Sequence, residues 1–295
     1  MLIARVIAEP AGLSPQVDAL LEALGDDGFS ADAREIPSGV VEIAAEGVSV
    51  DVLRNAIDKH LGTSDALITE QRPVVPRLFI SDMDSTMISA ECIDELADFA
   101  GLKPQIAAIT ERAMQGELDF REALRERVAL LKDLSEDAIA QCLAERIKPM
   151  TGARVLVQTL KAKGCRTVLV TGGFHQFADP VAEQLGFERV VGNRLAVAGG
   201  KLTGGLDGPI SDSATKRATL LEEQEKLAKK PGEKVPTLAT GDGANDIPMI
   251  EEASYGIAFE AKPKARAAAN GWVDRGDLTA VLRLLGVPEK DWVLD

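Results

Sequence analysis

The 295-residue chain is poor in cysteine, histidine and aromatic residues. Its three cysteines, Cys92, Cys142 and Cys165, are odd in number and lack the spacing of metal ligands. We therefore expect reduced thiols without a chemical role rather than a disulfide framework. Because His60 and His175 are the only histidines, the sequence also disfavours a reaction centred on imidazole groups.

Basic charge and long apolar runs are also scarce. Lys and Arg number 33 against 47 Asp and Glu, a formal net charge of −14 that argues against nonspecific nucleic-acid binding. No segment has the length and apolar character of a membrane span, so no membrane partner is expected. The opening segment, Met1–Pro10, has a short apolar run and no basic flank, which predicts a folded strand rather than a signal peptide. A cytoplasmic enzyme is the expectation, and 45% hydrophobic residues can fill the cores of two domains.

The segment with the clearest chemical meaning is Asp82-Met83-Asp84-Ser85-Thr86, which follows an apolar strand-like run over Val74–Ile80. Two carboxylates one residue apart at a strand end can diverge as the chain turns, one toward a metal ion and the other toward a leaving group. Such a pair can perform covalent phosphoryl transfer. A surface turn is the alternative, since Asp and Ser are common turn residues.

Three later segments supply complementary groups. The run Thr167–Gly173 ends in a hydroxyl and two glycines, where Thr171 and the N–H of Gly172 can bind a phosphate oxygen. Lys216 precedes an amphipathic stretch, and Val235–Asp246 is a further apolar strand that ends in glycines interleaved with two carboxylates. Hard carboxylate and carbonyl oxygens without nearby His or Cys favour Mg²⁺ as the cofactor.

Together these segments resemble the four motifs of the haloacid dehalogenase superfamily. From Asp82 onward the chain is similar to the phosphoserine phosphatase family within it, and the segments that carry the resemblance are Asp82–Thr86, Glu91–Glu95, Phe120–Val128, Thr171–Phe174 and Gly241–Asp246. The resemblance implies Mg²⁺-dependent hydrolysis of phosphoserine through an aspartyl-phosphate, the last step of serine biosynthesis. Thr171, often serine in relatives, and Met83, often phenylalanine, depart from the pattern without removing a required group.

The resemblance also implies a role for each site residue. Asp82 would be the nucleophile and Asp84 the general acid and base. Mg²⁺ would be held by Asp82, the main-chain carbonyl of Asp84, and Asp242. The substrate would be bound by Glu91, Met114, Phe120, Arg127, Thr171, Gly172, Lys216 and Asn245, with Asp246 supporting Lys216 or the metal shell. Taken singly, Glu91 and Arg127 would be ordinary charges on a helix surface.

The pattern before residue 73 predicts a separate domain, residues 1–72. A strand, a helix over Pro15–Leu24, two strands within Ala31–Ala45, a helix over Val50–Leu61 and a strand over Ala66–Thr69 give the order βαββαβ of a ferredoxin-like fold. This part loosely resembles an ACT-type module, which binds amino acids or pairs with its twin in a homodimer. A purely stabilising or dimerising domain is an equal alternative.

Residues 73–295 are predicted to form the phosphatase domain, an α/β Rossmann-like core with a parallel sheet. Strands and helices alternate from Thr151, so ligands should lie beyond the carboxyl ends of the strands. The resemblance makes residues of about 89–148 a helical cap, and the helices expected there are Cys92–Ala100, Pro104–Met114, Phe120–Leu131 and Ser135–Arg146. The glycine-rich stretch Ala198–Gly205 predicts a hairpin turn.

Two other functions remain open at this point. The first is a related phosphotransferase, or a phosphatase for another small ester, which analysis of the products with and without acceptor alcohols would distinguish. The second is a non-catalytic amino-acid sensor with a vestigial phosphatase part. Retention of the four groups Asp82, Asp84, Lys216 and Asp242 argues against the sensor.

Overall fold

The computed structural model describes residues 1–9, 11–114, 117–230 and 232–294, without the side chain of Met114. The N-terminal part has the predicted βαββαβ order, and its elements are β1 (Leu2–Ile7), α1 (Pro15–Asp26), β2 (Ser30–Ile36), β3 (Val40–Glu46), α2 (Val50–Leu61) and β4 (Asp65–Thr69). Its strands lie in the antiparallel order β2-β3-β1-β4, which is the ferredoxin-like arrangement. The Ser49 hydroxyl accepts the N–H of Val52 and so caps the start of α2.

Most strands of the second part form a parallel sheet, and the first of them along the chain is β5 (Leu78–Ser81). The remaining strands are β6 (Arg166–Phe174), β7 (Arg189–Asn193), β8 (Leu195–Ala198), β9 (Lys201–Leu206), β10 (Thr237–Gly241), β11 (Tyr255–Phe259) and β12 (Gly271–Val273). Strands β8 and β9 pair antiparallel across Gly199-Gly200, so the predicted hairpin is confirmed. The α/β fold class is likewise confirmed.

Four helices lie between β5 and the next helix of the core, as predicted for a cap. They are α3 (Cys92–Phe99), α4 (Lys103–Met114), α5 (Phe120–Leu130) and α6 (Glu136–Arg146), each within one residue of its predicted bounds. Asp119 and Glu122 form a capping box that begins α5. The core helices are α7 (Ala153–Ala162), α8 (His175–Leu185), α9 (Ser213–Leu227), α10 (Ile247–Glu252), α11 (Pro263–Ala268) and α12 (Thr279–Leu285).

One sheet of ten strands runs through both parts, in the order β2-β3-β1-β4-β12-β11-β10-β5-β6-β7. The junction is an antiparallel pairing of β4 with β12, in which Trp272 lies opposite Ala66. The Trp272 ring is fully buried, and the guanidinium of Arg266 lies 4.5 Å from its centroid. Asp65 accepts the N–H groups of residues 274–276 at 2.9–3.1 Å. The two parts therefore share backbone hydrogen bonds and a hydrophobic core.

The three cysteines are free and buried, as expected. Among the residues that the structure describes, no helix is both long and apolar enough to cross a bilayer.

Candidate active site

Three predicted site residues meet at the carboxyl edge of the parallel sheet. Asp82 directly follows β5, Asp242 directly follows β10, and Thr171 lies near the end of β6. Their strands are neighbours that run in the same direction, so their ends converge. All three side chains are buried, with Asp82 only 4% exposed.

Lys216 lies behind Asp82 rather than at the protein surface. A capping box between Asp212 and Thr215 begins α9, and the first turns of this helix carry Lys216 into the core. Its Nζ lies 2.6 Å from Oδ1 of Asp82 and 2.6 Å from Oδ1 of Asp246. Burial alone would lower the pKa of Lys216, but the two carboxylates outweigh burial and raise it. The ammonium is therefore a fixed positive charge beside Asp82.

Asp246 holds this ammonium in place. It is fully buried, and its Oδ2 accepts the N–H of Gly243 at 3.0 Å while Oδ1 faces Lys216. The chain can approach so closely because Gly241 has no side chain; a Cβ there would lie 2.4 Å from Cγ of Asp246. Its geometry fits the predicted supporting role.

A cluster of carboxylates can hold a hard cation at this edge. Carboxylate oxygens of Asp82, Asp242 and Asp246 all lie within 4.8 Å of one another. Burial, followed by the charge of Asp246, raises the pKa of Asp82, although Lys216 opposes this shift; burial also raises the pKa of Asp242. Concentrated negative charge with oxygen donors alone fits a divalent cation such as Mg²⁺. The predicted metal ligand from Asp84 is its main-chain carbonyl oxygen, so Asp84 is not a member of this carboxylate cluster.

Asp84 has an environment suited to proton transfer. Its Oδ1 accepts the N–H of Cys92 at 3.0 Å, and burial, followed by the charge of Glu91, raises its pKa to about 7. Oδ2 lies 3.0 Å from the position that a Cβ on Gly173 would occupy. Ser85, which follows Asp84, adopts a left-handed backbone with φ of 53°, a conformation that turns the chain toward the cap.

A cavity of about 260 Å³ lies between the cap helices and these groups. From the cap side it is lined by Glu91, Ile93, Phe120, Leu124 and Arg127. The tip of the Phe120 ring lies 3.2 Å from the position of a Cβ on Gly172, so the ring covers the glycine pair in the last residues of β6.

Two opposite charges from the cap line this cavity. Burial raises the pKa of Glu91, whose Oε1 accepts the Ser85 hydroxyl at 3.0 Å. Burial lowers the pKa of Arg127, opposed by the charges of Asp94 and Glu91. Its Nε donates to the Ala123 carbonyl at 3.3 Å. The cavity thus presents a carboxylate and a guanidinium opposite the buried Asp82.

The remaining predicted residues are placed as follows. Thr171, Gly172 and the exposed Asn245 line the cavity. Met114 ends α4, and its side chain lies outside the described part of the chain. Lys262 was not predicted from the sequence, but it lines the cavity with its Nζ 3.5 Å from Oδ2 of Asp242. Its position just after β11, at the same edge of the sheet as Asp242, is the sequence feature from which it could have been predicted.

Comparison with known proteins identifies the family of the chain. The model of the haloacid dehalogenase-like hydrolases matches residues 79–251. The chain belongs to this family. Within the haloacid dehalogenase-like hydrolases, it is 44% identical over 213 residues to a phosphoserine phosphatase of Albidiferax ferrireducens, covering 70% of this chain and 89% of that one. It is 37% identical over 276 residues to a phosphoserine phosphatase of Saccharomyces cerevisiae, covering 90% and 86%.

A solved structure of this family is similar along nearly the whole chain. The probable phosphoserine phosphatase of Vibrio cholerae superposes with a TM-score of 0.75 at 33% identity, covering 98% of this chain and 87% of that one. The likeness therefore includes the N-terminal part as well as the haloacid dehalogenase-like core.

Proposed function

We propose that this enzyme hydrolyses O-phospho-L-serine to L-serine and inorganic phosphate. The observation that carries the proposal is a single cavity that the buried Asp82, held by Lys216 behind it, lines together with Glu91 and Arg127 from the cap. A phosphorylated amino acid has a phosphate at one end and an ammonium and a carboxylate at the other. Relatives named phosphoserine phosphatase, at 37% and 44% identity, support the same substrate.

The amino-acid end of the substrate fits the two cap charges. The Glu91 carboxylate would accept hydrogen bonds from the substrate ammonium, and the Arg127 guanidinium would donate to its carboxylate. Phe120 would form an apolar wall, and Met114 is proposed for the same purpose. Because the cavity is small and partly desolvated, each charge pair discriminates strongly against esters that lack the matching group.

At the phosphate end, Asp82 would attack phosphorus in line and form an aspartyl-phosphate as the serine oxygen leaves. Asp84 would give the departing oxygen its proton and later take one from the water that attacks phosphorus and releases phosphate. Lys216 would neutralise phosphoryl oxygens, and Thr171 with the N–H of Gly172 would donate hydrogen bonds to them. Asn245 would orient the group, and Asp246 would keep Lys216 in place.

The proposed cofactor is Mg²⁺, held by Asp82, the main-chain carbonyl of Asp84, and Asp242. When bound, it supplies positive charge that lets an anionic nucleophile and an anionic ester approach each other. The chain carries a net charge of −14, so cations at this site are needed to attract the substrate. The buried Asp82 and Asp242, which have carboxylate oxygens within 4.8 Å of one another, support this choice.

The proposal extends to the biological setting. The reaction would be the last step of serine biosynthesis in the cytoplasm. Residues 1–72 would form an ACT-like regulatory or dimerisation domain and residues 73–295 the phosphatase domain. A homodimer would form through the N-terminal domain.

The test is phosphate release from a panel of esters at equal concentration with Mg²⁺. The panel contains O-phospho-L-serine, p-nitrophenyl phosphate and several sugar phosphates. We expect a strong preference for phosphoserine and loss of activity when the metal is chelated. Activity on the other esters alone would contradict the substrate, and absence of release from all of them would contradict the proposed activity.

A further inference from the structure

A second cavity, of about 230 Å³, lies between the N-terminal strands and the segment formed by α12 and the residues that follow it. Strands β1, β2 and β3 supply Arg5, Arg34 and Glu42, while Arg283 comes from α12 and Val287 from the segment after it. The cavity therefore spans both parts of the protein. It is separate from the active-site cavity and shares none of its lining residues.

Both carboxylate oxygens of Glu42 accept hydrogen bonds from arginines. It lies directly opposite Arg5 and Arg34 in the strand register, which brings the three side chains together on one face of the sheet. Its Oε1 accepts from Nε and Nη2 of Arg34 at 3.1 and 2.6 Å and from Nε of Arg72 at 2.9 Å, while Oε2 accepts from Nε of Arg5 at 3.2 Å. A single carboxylate thus faces three guanidiniums.

A fourth guanidinium is not neutralised by this carboxylate. Nε of Arg283 donates to the carbonyl of Ser38 at 3.0 Å, and Nη2 donates to the same oxygen. Ser38 and Gly39 both have positive φ, so this bond holds the tight turn between β2 and β3. A carbonyl carries no net charge. Among the described residues that line the cavity, Glu42 is the only carboxylate, so positive charge is in excess.

The centre of this arginine cluster is buried, whereas the side chains of Arg34 and Arg72 are 56% and 61% exposed and can be reached from solvent. Arg5 is 7% exposed and Glu42 is 3% exposed. Nη1 of Arg5 donates to the carbonyl of Leu284 at 3.0 Å, which fixes the guanidinium against the end of α12. In a chain with a net charge of −14, a fixed local excess of arginine attracts anions.

The size and the walls of the cavity restrict the ligand. Ile36, Pro37, Val287 and Pro288 provide apolar lining beside the guanidiniums. The volume lies below the roughly 300–1,000 Å³ of sites for drug-sized ligands. A fitting ligand is a small molecule with a carboxylate or phosphate group and few apolar atoms.

We propose that this cavity binds a small oxyanion, a carboxylate or a phosphate, between the N-terminal sheet and α12. The oxyanion would contact Arg34 and Arg283 at once, so binding would stabilise the junction of the two parts. The site does not depend on the proposed phosphatase activity, because none of its residues contacts the active-site cavity.

The test measures binding of sodium phosphate and of sodium succinate to the full chain by calorimetry, at constant ionic strength set with sodium chloride. The variant is Arg34→Gln, whose side chain is 56% exposed, so folding should be preserved. Arg217→Gln is the matched control, because Arg217 is 52% exposed and donates its Nε and Nη2 to one oxygen of Glu252. Any binding of the probe at the active site should be equal in the wild type and both variants, because neither substitution lies in the active-site cavity.

We expect at least one probe to bind at least tenfold more weakly to Arg34→Gln than to the wild type and to Arg217→Gln. The probe that shows the difference identifies phosphate or carboxylate as the preferred group. Equal binding of both probes to all three proteins would overturn the proposal.

Hydrogen exchange on the wild type provides a second readout that needs no variant. The bound probe should slow amide exchange in residues 36–40 and 284–288. Unchanged exchange in both segments at a saturating probe concentration would also overturn the proposal.

Discussion

The ammonium of Lys216 lies 2.6 Å from Oδ1 of Asp82, with both groups almost completely buried. This pair defines the floor of the active site, because Asp82 faces the cavity and Lys216 lies behind it. A buried positive charge beside the nucleophile stabilises the negative charge that accumulates as a phosphate approaches.

Lys216→Met should abolish most of the activity and lower stability. Loss of a fixed charge that stabilises the transition state should lower kcat roughly 10²–10³-fold. Removing one partner of a buried charge cluster should reduce the free energy of unfolding by about 3–5 kcal/mol. Kinetics of phosphate release and urea unfolding measure the two effects.

Lys226→Met is the control for this change, since Lys226 lies on the same helix with its side chain 56% exposed. We expect nearly wild-type kcat and stability for the control. Similar losses in both variants would show that the effect arises from the helix and not from the buried charge.

Arg127→Gln should affect substrate recognition more than phosphate chemistry. Loss of a desolvated charge pair costs on the order of 2–5 kcal/mol, so kcat/KM for phosphoserine should fall by about 30-fold or more. Activity on p-nitrophenyl phosphate, which lacks the carboxylate, should change little. Arg125→Gln, an exposed position on the same helix, should leave both substrates unaffected. An equal loss on the two esters would contradict the role of Arg127.

Gly173→Ala should displace Asp84. The added Cβ would lie 3.0 Å from Oδ2 of Asp84 and 3.1 Å from Oγ1 of Thr171, which is closer than ordinary contacts allow. Misplacement of the general acid should lower kcat by roughly 10²-fold with the protein still folded. Gly205→Ala is the control, since its nearest contact would be 3.5 Å. Unchanged kcat in Gly173→Ala would show that Asp84 has room to move without loss of function.

Glu42 should make stability depend on acid pH. Burial raises its pKa, but hydrogen bonds from Arg72, Arg34 and Arg5 outweigh burial, so the pKa is lowered below its ordinary value of 4.5. The stabilisation is therefore fully present above about pH 4.5 and is lost as the pH falls through the lowered folded-state pKa. Glu42→Gln should cost about 1–3 kcal/mol at pH 7 and less at pH 3.

Unfolding free energies of the wild type and Glu42→Gln at pH 7 and pH 3 measure this dependence. Glu46→Gln, at the exposed end of the same strand, serves as the control. A difference between wild type and Glu42→Gln that is equal at both pH values would contradict the lowered pKa.

Much of the core site could be predicted because its geometry follows from local sequence. Asp82, Thr171 and Asp242 each follow or end an apolar run, and parallel neighbouring strands bring such ends together. The cap helices were predicted to within one residue from their helical sequence patterns. In the structure, the side chains of Asp119 and Ser135 cap the starts of α5 and α6. The roles of the site residues remain predictions until they are tested.

Relationships between distant segments could not be predicted in the same way. The pairing of β4 with β12 joins Ala66 to Trp272, and nothing local in either short strand specifies its partner. Glu42 likewise accepts hydrogen bonds from arginines of three separate segments, which come together only when the strands pair in the folded protein. Lys262 was not predicted, because it lies three residues beyond β11 and only the folded chain brings it to Asp242.

The most direct test of the account is to identify the residue that carries the phosphoryl group during turnover. The wild type is mixed with ³²P-labelled O-phospho-L-serine and Mg²⁺, quenched in acid within one turnover, and analysed by peptide mapping. We predict an acid-stable label on Asp82 that hydroxylamine releases, and no label on the Asp82→Asn variant. Rapid phosphate release with no label on the protein, or with the label on another residue, would contradict the mechanism.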